Sequence, residues 1–208
     1  DYAVPMERIT VARPGSDPAP RSRGSQSEIP HLLSVGSIVP RKGFDVLVAA
    51  LARLAELPWR LTIAGDLTRD ANEAAKLRAS ISQHRLADRI EMPGAVSPER
   101  LATLYNEANV FVLASRFEGY GMAYTEALSH GLPVIGTTAG AIPDTVSDGA
   151  GLLVTAGDVD ALAAALRDVI ANPDRRRRLS DAASQAARTL PTWRQSGAIF
   201  AATLEKLA

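Results

Sequence analysis

Short apolar runs alternate along the chain with longer segments in which apolar residues recur at helical spacing. The runs predict buried strands, and the longer segments predict amphipathic helices. Strands that alternate with helices indicate βαβ units, and therefore an α/β fold with a parallel sheet covered on both faces. The predicted strands are Leu32–Val35, Leu61–Ala64, Ile90–Met92, Val110–Leu113, Val134–Ile135 and Leu152–Val154, and the helices between them are Phe44–Leu57, Asn72–Gln83, Pro98–Ala108, Met122–His130 and Val159–Ile170.

The two ends of the chain depart from this alternation. Arg8–Ala12 has the β-branched content of a short strand. Arg13–Ser27 is rich in Pro, Gly, Ser and Arg, which predicts a linker or a mobile loop. Two helices, Asp174–Arg188 and Thr192–Lys206, close the chain without an intervening strand, and such a tail packs across a sheet or onto a neighbouring domain. The abrupt opening of the sequence suggests a fragment of a longer protein.

The composition is that of an ordinary globular protein and narrows the function by exclusion. Of the 208 residues, 46% are hydrophobic and 22% charged, and 23 basic residues balance 23 acidic ones. Nothing in the bulk charge favours a nucleic-acid partner or an anionic membrane. The chain has no cysteine, which excludes disulfides and thiolate chemistry and suits a reducing compartment. No apolar run approaches the length of a membrane span, and no signal-peptide pattern begins the sequence.

The segment Glu118–Ile135 carries the clearest chemical signal. Glu118 and Glu126 stand eight positions apart around Gly119 and Gly121, and an amphipathic helix follows the glycines. Where a Gly-rich turn becomes a helix, free N–H groups and the helix dipole favour an anion such as phosphate. A carboxylate on each side of that anion suits the hydroxyl groups of a phosphate-linked sugar. The spacing of the two glutamates is weak evidence alone and gains weight beside the glycines.

A basic turn follows the first predicted strand of the sheet. Gly36 and Ser37 end that strand, and Arg41 and Lys42 stand just before the next helix. Two adjacent cations at a strand-to-helix turn can neutralise a diphosphate, Arg by bidentate contact and Lys as a point charge. A solvent-exposed basic turn without a ligand would give the same pattern. In open α/β sheets, ligands bind beyond the carboxyl ends of the strands, which is where these residues are expected.

The remaining strand-to-helix loops are less specific. Gly65 allows close approach of a ligand, although ordinary turn chemistry explains it equally well. The loop from Gly94 to Val96 has little side-chain bulk and could contact a nucleobase edge, or it could only cap the next helix. Gly140 is a candidate wall of the site, and Asp144 is better explained as a cap or turn residue. The three histidines show no metal-like spacing and suit structural or exposed roles.

With these residues assembled, the chain resembles the C-terminal, nucleotide-sugar-binding half of the retaining GT-B glycosyltransferases, family 4 type (glycosyl transferases group 1). The resemblance covers roughly residues 30–190. It implies a Rossmann-like donor-binding domain over 30–190, an interdomain strand and flexible linker over 1–29, and a C-terminal helix over 191–208 that packs toward a missing N-terminal domain. The matching motifs are VGSIVPRKG, the AGD turn, GAVSPERLATLYNEANVFVLAS, the E-x7-E segment EGYGMAYTEALSHGLPVI and AGAIPDTV with the later GLLV.

The resemblance also implies a role for each site residue. It makes Arg41 and Lys42 the clamp on the donor diphosphate, Glu118 a catalytic group near the donor sugar, and Glu126 the partner of the ribose hydroxyls. Two departures from the family pattern are Tyr120, where Phe is common, and Asp144, where Glu is usual. The implied catalytic residues are Glu118, Arg41 and Lys42, and the implied donor-binding residues are Gly36, Ser37, Arg41, Lys42, Val96, Gly121, Met122, Ala123 and Glu126.

As a whole, the resemblance implies a cytoplasmic hexosyltransferase that moves a sugar from a nucleoside-diphosphate sugar to an acceptor with retention. It implies no cofactor and no metal, because cations of the protein do the work of a divalent ion. The expected partners are the nucleoside-diphosphate sugar and the missing N-terminal acceptor-binding domain. The resemblance is also compatible with a peripheral contact between the full-length enzyme and the inner face of the membrane. This chain alone is expected to be inactive. A non-catalytic nucleotide-sugar-binding module and a GT-B nucleotide-sugar epimerase are the alternatives.

Overall fold

Six parallel strands form one sheet in this computed structural model, which describes residues 4–146 and 149–206. The order across the sheet is β3-β2-β1-β4-β5-β6, and every neighbouring pair runs parallel. The six-stranded parallel sheet expected from the apolar runs is therefore confirmed. The strands are β1 His31–Val35, β2 Arg60–Ala64, β3 Ile90–Gly94, β4 Val110–Val112, β5 Val134–Thr137 and β6 Gly151–Val154.

The helices follow the predicted segments, with differences at their ends. The first ends at Ala52 rather than Leu57 and continues as turns, and the short α5 in the loop after β5 was not predicted. Side chains of Asp70, Ser97, Asp158, Asn172 and Thr192 each accept a backbone N–H in the first turn of a helix, which fixes where these helices begin. The helices are α1 Phe44–Ala52, α2 Ala71–Gln83, α3 Pro98–Glu107, α4 Met122–Ser129, α5 Ile142–Thr145, α6 Val159–Ala171, α7 Pro173–Ala187 and α8 Trp193–Glu205.

The direction of the chain reverses between β1 and β4, which are neighbours at the centre of the sheet. From β1 the chain steps outward through β2 to β3, and from β4 it steps the other way through β5 to β6. Right-handed crossovers then place α1 and α2 on one face and α3 and α4 on the other. The loops that follow β1 and β4 consequently turn to opposite faces. A crevice opens between them at the carboxyl edge of the sheet, which is the topological switch point.

The strand predicted at Arg8–Ala12 is wrong. Met6–Arg8 forms a single 3-10 turn, and the residues that follow, through Ala12, are exposed and have no strand pairing. Strand propensity reflects packing on a pleated surface more than an intrinsic backbone preference. Because no strand of the sheet lies beside this segment, its β-branched residues have nothing to pack against.

The segment predicted as a linker or mobile loop packs against the domain through hydrogen bonds. The Ser16 amide donates to Pro191 O at 2.7 Å, and the Ser16 and Ser129 hydroxyls lie 2.8 Å apart. The Ser22 amide donates to His130 O at 2.8 Å, and its hydroxyl lies 2.7 Å from Ala108 O. The prediction considered only apolar burial, whereas this segment is held by polar contacts to helix ends, whose carbonyls need partners. We call residues 14–22 the strap.

The last helix, α8, is largely exposed. Trp193, Phe200 and Leu204 of α8 are exposed by 52%, 62% and 53%. That this helix packs toward another domain stays a prediction. Within residues 4–146 and 149–206, no helix is both long and apolar enough to cross a membrane.

Candidate functional site

The turn after β1 brings the predicted cations against the loop after β4. Pro40–Lys42 forms a 3-10 turn that ends at Gly43 with φ of +65°. A Cβ on Gly43 would lie 2.0 Å from Ala114 O, so only glycine permits this approach of the two loops. A Cβ on Gly36 would lie 3.1 Å from Lys42 Cε, which places the Lys42 side chain along the end of β1.

Glu118 is the centre of a polar cluster beneath the crevice. Its Oε1 accepts from Lys42 Nζ at 2.6 Å and from the Ser115 hydroxyl at 2.7 Å, and its Oε2 lies 3.3 Å from Arg41 Nη1. The Glu118 residue is 6% exposed and Lys42 is 9% exposed, whereas the Arg41 side chain is 55% exposed. The structure thus brings all three predicted catalytic residues together and leaves Arg41 as the cation most open to a ligand.

The surroundings of Glu118 keep its carboxyl group ionised. Burial by itself would raise the pKa of Glu118. Hydrogen bonds from Lys42 and Ser115, with the charges of Lys42 and Arg41, outweigh that effect and hold the pKa below its usual value. The cluster therefore presents a fixed negative charge whose neighbours are two cations.

The start of α4 has unpaired donors at the place predicted for phosphate. Gly121 stands before the helix with φ of +91°, and a Cβ there would lie 2.9 Å from the Tyr124 ring. The amides of Tyr124 and Thr125 both donate to Gly121 O. Within the described residues no protein acceptor pairs with the N–H groups of Met122 and Ala123, and both residues are partly exposed. These two donors at the positive end of a helix are available to an anion.

The loop after β5 holds the backbone of the glutamate loop in place. The Ala141 amide donates to Glu118 O at 2.9 Å, and the Thr145 hydroxyl donates to Tyr120 O at 2.6 Å. A Cβ on Gly140 would lie 2.2 Å from Glu118 O, which explains the glycine there. Gly140 is therefore a support of the site. The contributions of Ser115 and Thr145 were missed by sequence reasoning, because a lone hydroxyl carries no spacing signal.

Glu126 lies apart from the Glu118 cluster, on a cavity between α3, α4 and the strap. The cavity has a volume of about 280 Å³, and its walls include Pro98, Leu101, Met122 and Glu126. The Tyr105 hydroxyl donates to Glu126 Oε2 at 2.9 Å. The carboxylates of Glu118 and Glu126 therefore have separate hydrogen-bond partners. Glu118 lies before the helix start and Glu126 lies beside the cavity one turn further along.

The loops after β1, β2 and β3 lie side by side along the crevice. A Cβ on Gly65 would lie 1.9 Å from Gly36 O, and the Gly65 amide donates to Gly94 O at 2.9 Å. Ser37 follows Gly36 on the same rim and is partly exposed. Val96 is partly buried against the core, and in the described segments its backbone N–H and C=O have no protein partner. The predicted nucleobase contact is thus free to bind a ligand.

Comparison with known proteins decides the family. The model of the family described as glycosyl transferases group 1 matches residues 16–186. The chain belongs to the glycosyl transferases group 1 family. It is 32% identical over 212 residues to the MMP alpha-(1->4)-mannosyltransferase of Mycolicibacterium hassiacum, an alignment that covers 99% of this chain and 50% of that protein. The chain spans about half the length of the curated relatives it matches.

Solved structures give the same fold for this family member. Sucrose-phosphate synthase from Thermosynechococcus elongatus superposes with a TM-score of 0.77 at 30% identity, covering 86% of this chain and 45% of that one. Anabaena Alr3699/HepE in complex with UDP and glucose gives 0.79 at 22%, with 86% and 48% covered. The C-terminal domain of LpcC from Francisella tularensis gives 0.74 at 23%, with 83% and 95% covered. The fold is the Rossmann-like α/β fold of the C-terminal half of GT-B glycosyltransferases.

A larger cavity of this glycosyl transferases group 1 domain lies away from the switch point. It has a volume of about 700 Å³ at the amino ends of β1 to β3, where His31 bonds to Thr62 at 2.9 Å. The crevice is instead bordered by Arg41, Lys42 and the free N–H groups of Met122 and Ala123, so its chemistry identifies it as the candidate site. Among the described residues no group of three or more His, Asp or Glu side chains is placed to hold a metal ion.

Proposed function

We propose that the chain is the donor-binding half of a retaining, family 4-type glycosyltransferase that moves a hexose from a nucleoside-diphosphate sugar to an acceptor. One observation carries the proposal. Arg41 and Lys42 from the loop after β1 and the unpaired N–H groups of Met122 and Ala123 lie on the two sides of the switch-point crevice in a member of the glycosyl transferases group 1 family. Donors and cations on both sides of a crevice suit a diphosphate.

In the proposed reaction, the bond between the anomeric carbon and the diphosphate oxygen breaks, and negative charge develops on the leaving nucleoside diphosphate. Arg41, Lys42 and the start of α4 stabilise that charge more strongly as it grows, which lowers the barrier. The acceptor hydroxyl supplies the new bond to the anomeric carbon, and its proton passes to an oxygen of the departing diphosphate. Glu118, ionised and fixed by three donors, supplies negative charge near the sugar, where positive charge develops.

The proposal also assigns residues to parts of the bound nucleotide. Glu126 binds the ribose hydroxyls, and the backbone of Val96 with Gly36 and Ser37 lines the path of the nucleotide. Two relatives carry mannosyltransferase names with GDP-mannose as the stated donor, and Alr3699/HepE was solved with UDP. Protein cations and N–H groups, rather than a metal, neutralise the diphosphate, because those donors already face the crevice.

The whole protein is proposed to need a second, acceptor-binding half, against which α8 packs. On this proposal the present chain binds nucleoside diphosphates weakly and transfers no sugar alone. A cytoplasmic location, with peripheral contact at the inner face of the membrane, belongs to the same proposal and rests on the family resemblance.

Titration by calorimetry tests the diphosphate site. UDP, GDP and ADP are each compared with the matched monophosphate in the wild type, in Arg41→Ala and in Lys76→Ala, whose cation is exposed and lies on α2. The wild type is expected to prefer one diphosphate over its monophosphate, and Arg41→Ala to reduce that preference by about tenfold, the loss of a charged hydrogen bond. Lys76→Ala should leave it unchanged. Equal affinity for di- and monophosphates in the wild type would remove the proposed site.

A further inference from the structure

Tyr105 is a buried aromatic residue whose hydroxyl contacts Glu126, the carboxylate proposed to bind the ribose. It lies on α3 and is 2% exposed. Its hydroxyl donates to Glu126 Oε2 at 2.9 Å, across 21 positions of the chain. The ring stacks on His130 with centroids 4.9 Å apart and planes 6° apart, and it lies 6.3 Å from the Phe111 ring. Packing on both neighbours fixes the position of the hydroxyl.

The hydrogen-bond acceptor of its hydroxyl distinguishes Tyr105 from Tyr124, the other buried tyrosine of this region. Tyr124 is 0% exposed, and its hydroxyl donates to the carbonyl of Leu113 at 2.7 Å. A backbone carbonyl satisfies a buried hydroxyl at no cost in buried charge. Tyr105 instead uses a partly buried carboxylate, which carries a desolvation cost. The need to give the buried Tyr105 hydroxyl a hydrogen-bond partner therefore does not by itself explain why that partner is Glu126.

The hydrogen bond leaves half of the Glu126 carboxylate available. Oε2 is occupied by Tyr105, whereas Oε1 has no hydrogen-bond partner among residues 4–146 and 149–206. Glu126 lies on the wall of the cavity between α3, α4 and the strap. A glutamate side chain has three rotatable bonds, and anchoring one oxygen removes most of its freedom before a ligand arrives. The free oxygen then belongs to an anchored side chain on the wall of the cavity.

The partner of the Tyr105 ring is itself fixed by the strap. His130 ends α4, its Nδ1 lies 3.1 Å from Pro20 O, and its backbone carbonyl accepts from Ser22. The strap therefore supports His130, and His130 supports the tyrosine by stacking on its ring. Three separate elements, α3, α4 and the strap, meet to set the orientation of one carboxylate.

We infer that Tyr105 is a positioning residue for nucleotide binding, which orients Glu126 so that its free oxygen accepts from a ribose hydroxyl of the donor. The inference rests on the proposed function, because it assumes that Glu126 contacts the ribose. Tyr105 acts through Glu126 and is not expected to touch the ligand's reacting atoms. Its effect is therefore specific to the hydroxyl groups of the ribose and leaves the diphosphate contacts unchanged.

The test compares a nucleoside diphosphate with its 2′,3′-dideoxy form in the wild type, Tyr105→Phe and Tyr124→Phe. The nucleotide used is the one that binds the wild type most tightly among UDP, GDP and ADP, and Kd is measured by calorimetry. Tyr105→Phe is expected to weaken binding of the ribose form by about fivefold, the size of one hydrogen bond, and to leave the dideoxy form nearly unchanged. Tyr124→Phe removes an equally buried hydroxyl that does not touch Glu126, and it should preserve the preference for ribose.

The outcomes separate this inference from the function on which it rests. A wild type that binds both forms equally would overturn the ribose contact itself, and with it the role of Tyr105. A wild type that prefers ribose, with the preference intact in Tyr105→Phe, would overturn the role of Tyr105 alone. An equal loss for both forms would identify Tyr105 as a structural residue only. Melting temperatures of both variants confirm that the measured species are folded.

Discussion

The ammonium group of Lys42 lies 2.6 Å from the carboxylate of Glu118, although 76 positions separate the two residues in the chain. Lys42 follows β1 and Glu118 follows β4, so the pair joins the two loops that border the crevice. Both side chains are nearly buried, with exposures of 11% and 8%. The pair therefore belongs to the candidate site and also holds together the two loops that form the site.

Removal of the lysine should destabilise the domain more than removal of the whole pair. Lys42→Met leaves a buried carboxylate with only Ser115 and a half-exposed Arg41 as partners, and we expect a loss of about 3 kcal/mol in the free energy of unfolding. Lys42→Met combined with Glu118→Gln should recover a substantial part of that loss, because no charge is left unpaired. Urea unfolding at pH 7 measures these two variants and Glu118→Gln alone. A double variant whose loss equals or exceeds the sum of the two single losses would contradict the pairing.

The stability that Glu118 contributes should depend on pH in one direction. The pKa of Glu118 is lower in the folded protein than its usual value, so the unfolded chain takes up the proton more readily. The contribution is complete above the unfolded pKa of about 4.3 and disappears as the pH falls through the lower folded pKa. The stability difference between the wild type and Glu118→Gln should therefore be constant from pH 7 to 5 and shrink in more acid solution. A difference that grows on acidification would contradict the ionised form of Glu118.

The same substitution should destabilise the protein at Gly121 and have little effect at Gly119. At Gly121, φ is +91° and a Cβ would lie 2.9 Å from the Tyr124 ring, so Gly121→Ala should cost about 1–2 kcal/mol in strain and also weaken nucleoside diphosphate binding. At Gly119 a Cβ would meet no atom within 4 Å, and Gly119→Ala should change stability by less than about 0.5 kcal/mol. Thermal unfolding with and without a nucleoside diphosphate measures both effects. Equal responses at the two positions would show that the turn before α4 does not need a left-handed residue.

The strap should resist proteolysis although its composition is that of a linker. Arg21 and Arg23 lie within or beside residues held by hydrogen bonds to α3, α4 and α7, whereas Arg8 lies in an exposed segment. Limited trypsin digestion, analysed by mass spectrometry, should cleave after Arg8 well before it cleaves after Arg21 or Arg23. Ser22→Ala removes the hydroxyl that bonds to Asn106 O and Ala108 O, and it should speed cleavage after Arg23. Early cleavage at Arg21 in the wild type would support the mobile loop that the composition suggested.

The spacing of apolar residues and the capping residues along the sequence determined the elements of the fold. Apolar runs located all six strands, and residues such as Ser97 and Asp158 located helix starts, because burial on both faces and capping are local requirements that leave a local pattern. The same local logic identified Arg41, Lys42, Glu118 and the turn at Gly121 as candidate site residues, since glycine-rich turns and charges before helices are visible in the chain itself.

The tertiary structure alone decided how those residues are connected. Nothing in the sequence indicates that Ser115 and Lys42 share one oxygen of Glu118, that Tyr105 holds Glu126, or that the strap packs on α4. Hydroxyl donors and backbone carbonyls occur throughout every chain, so their pairing has no sequence pattern and depends on which loops the sheet order brings together. The strand predicted at Arg8–Ala12 failed for the same reason, because β-branched residues form a strand only where a neighbouring strand lies beside them.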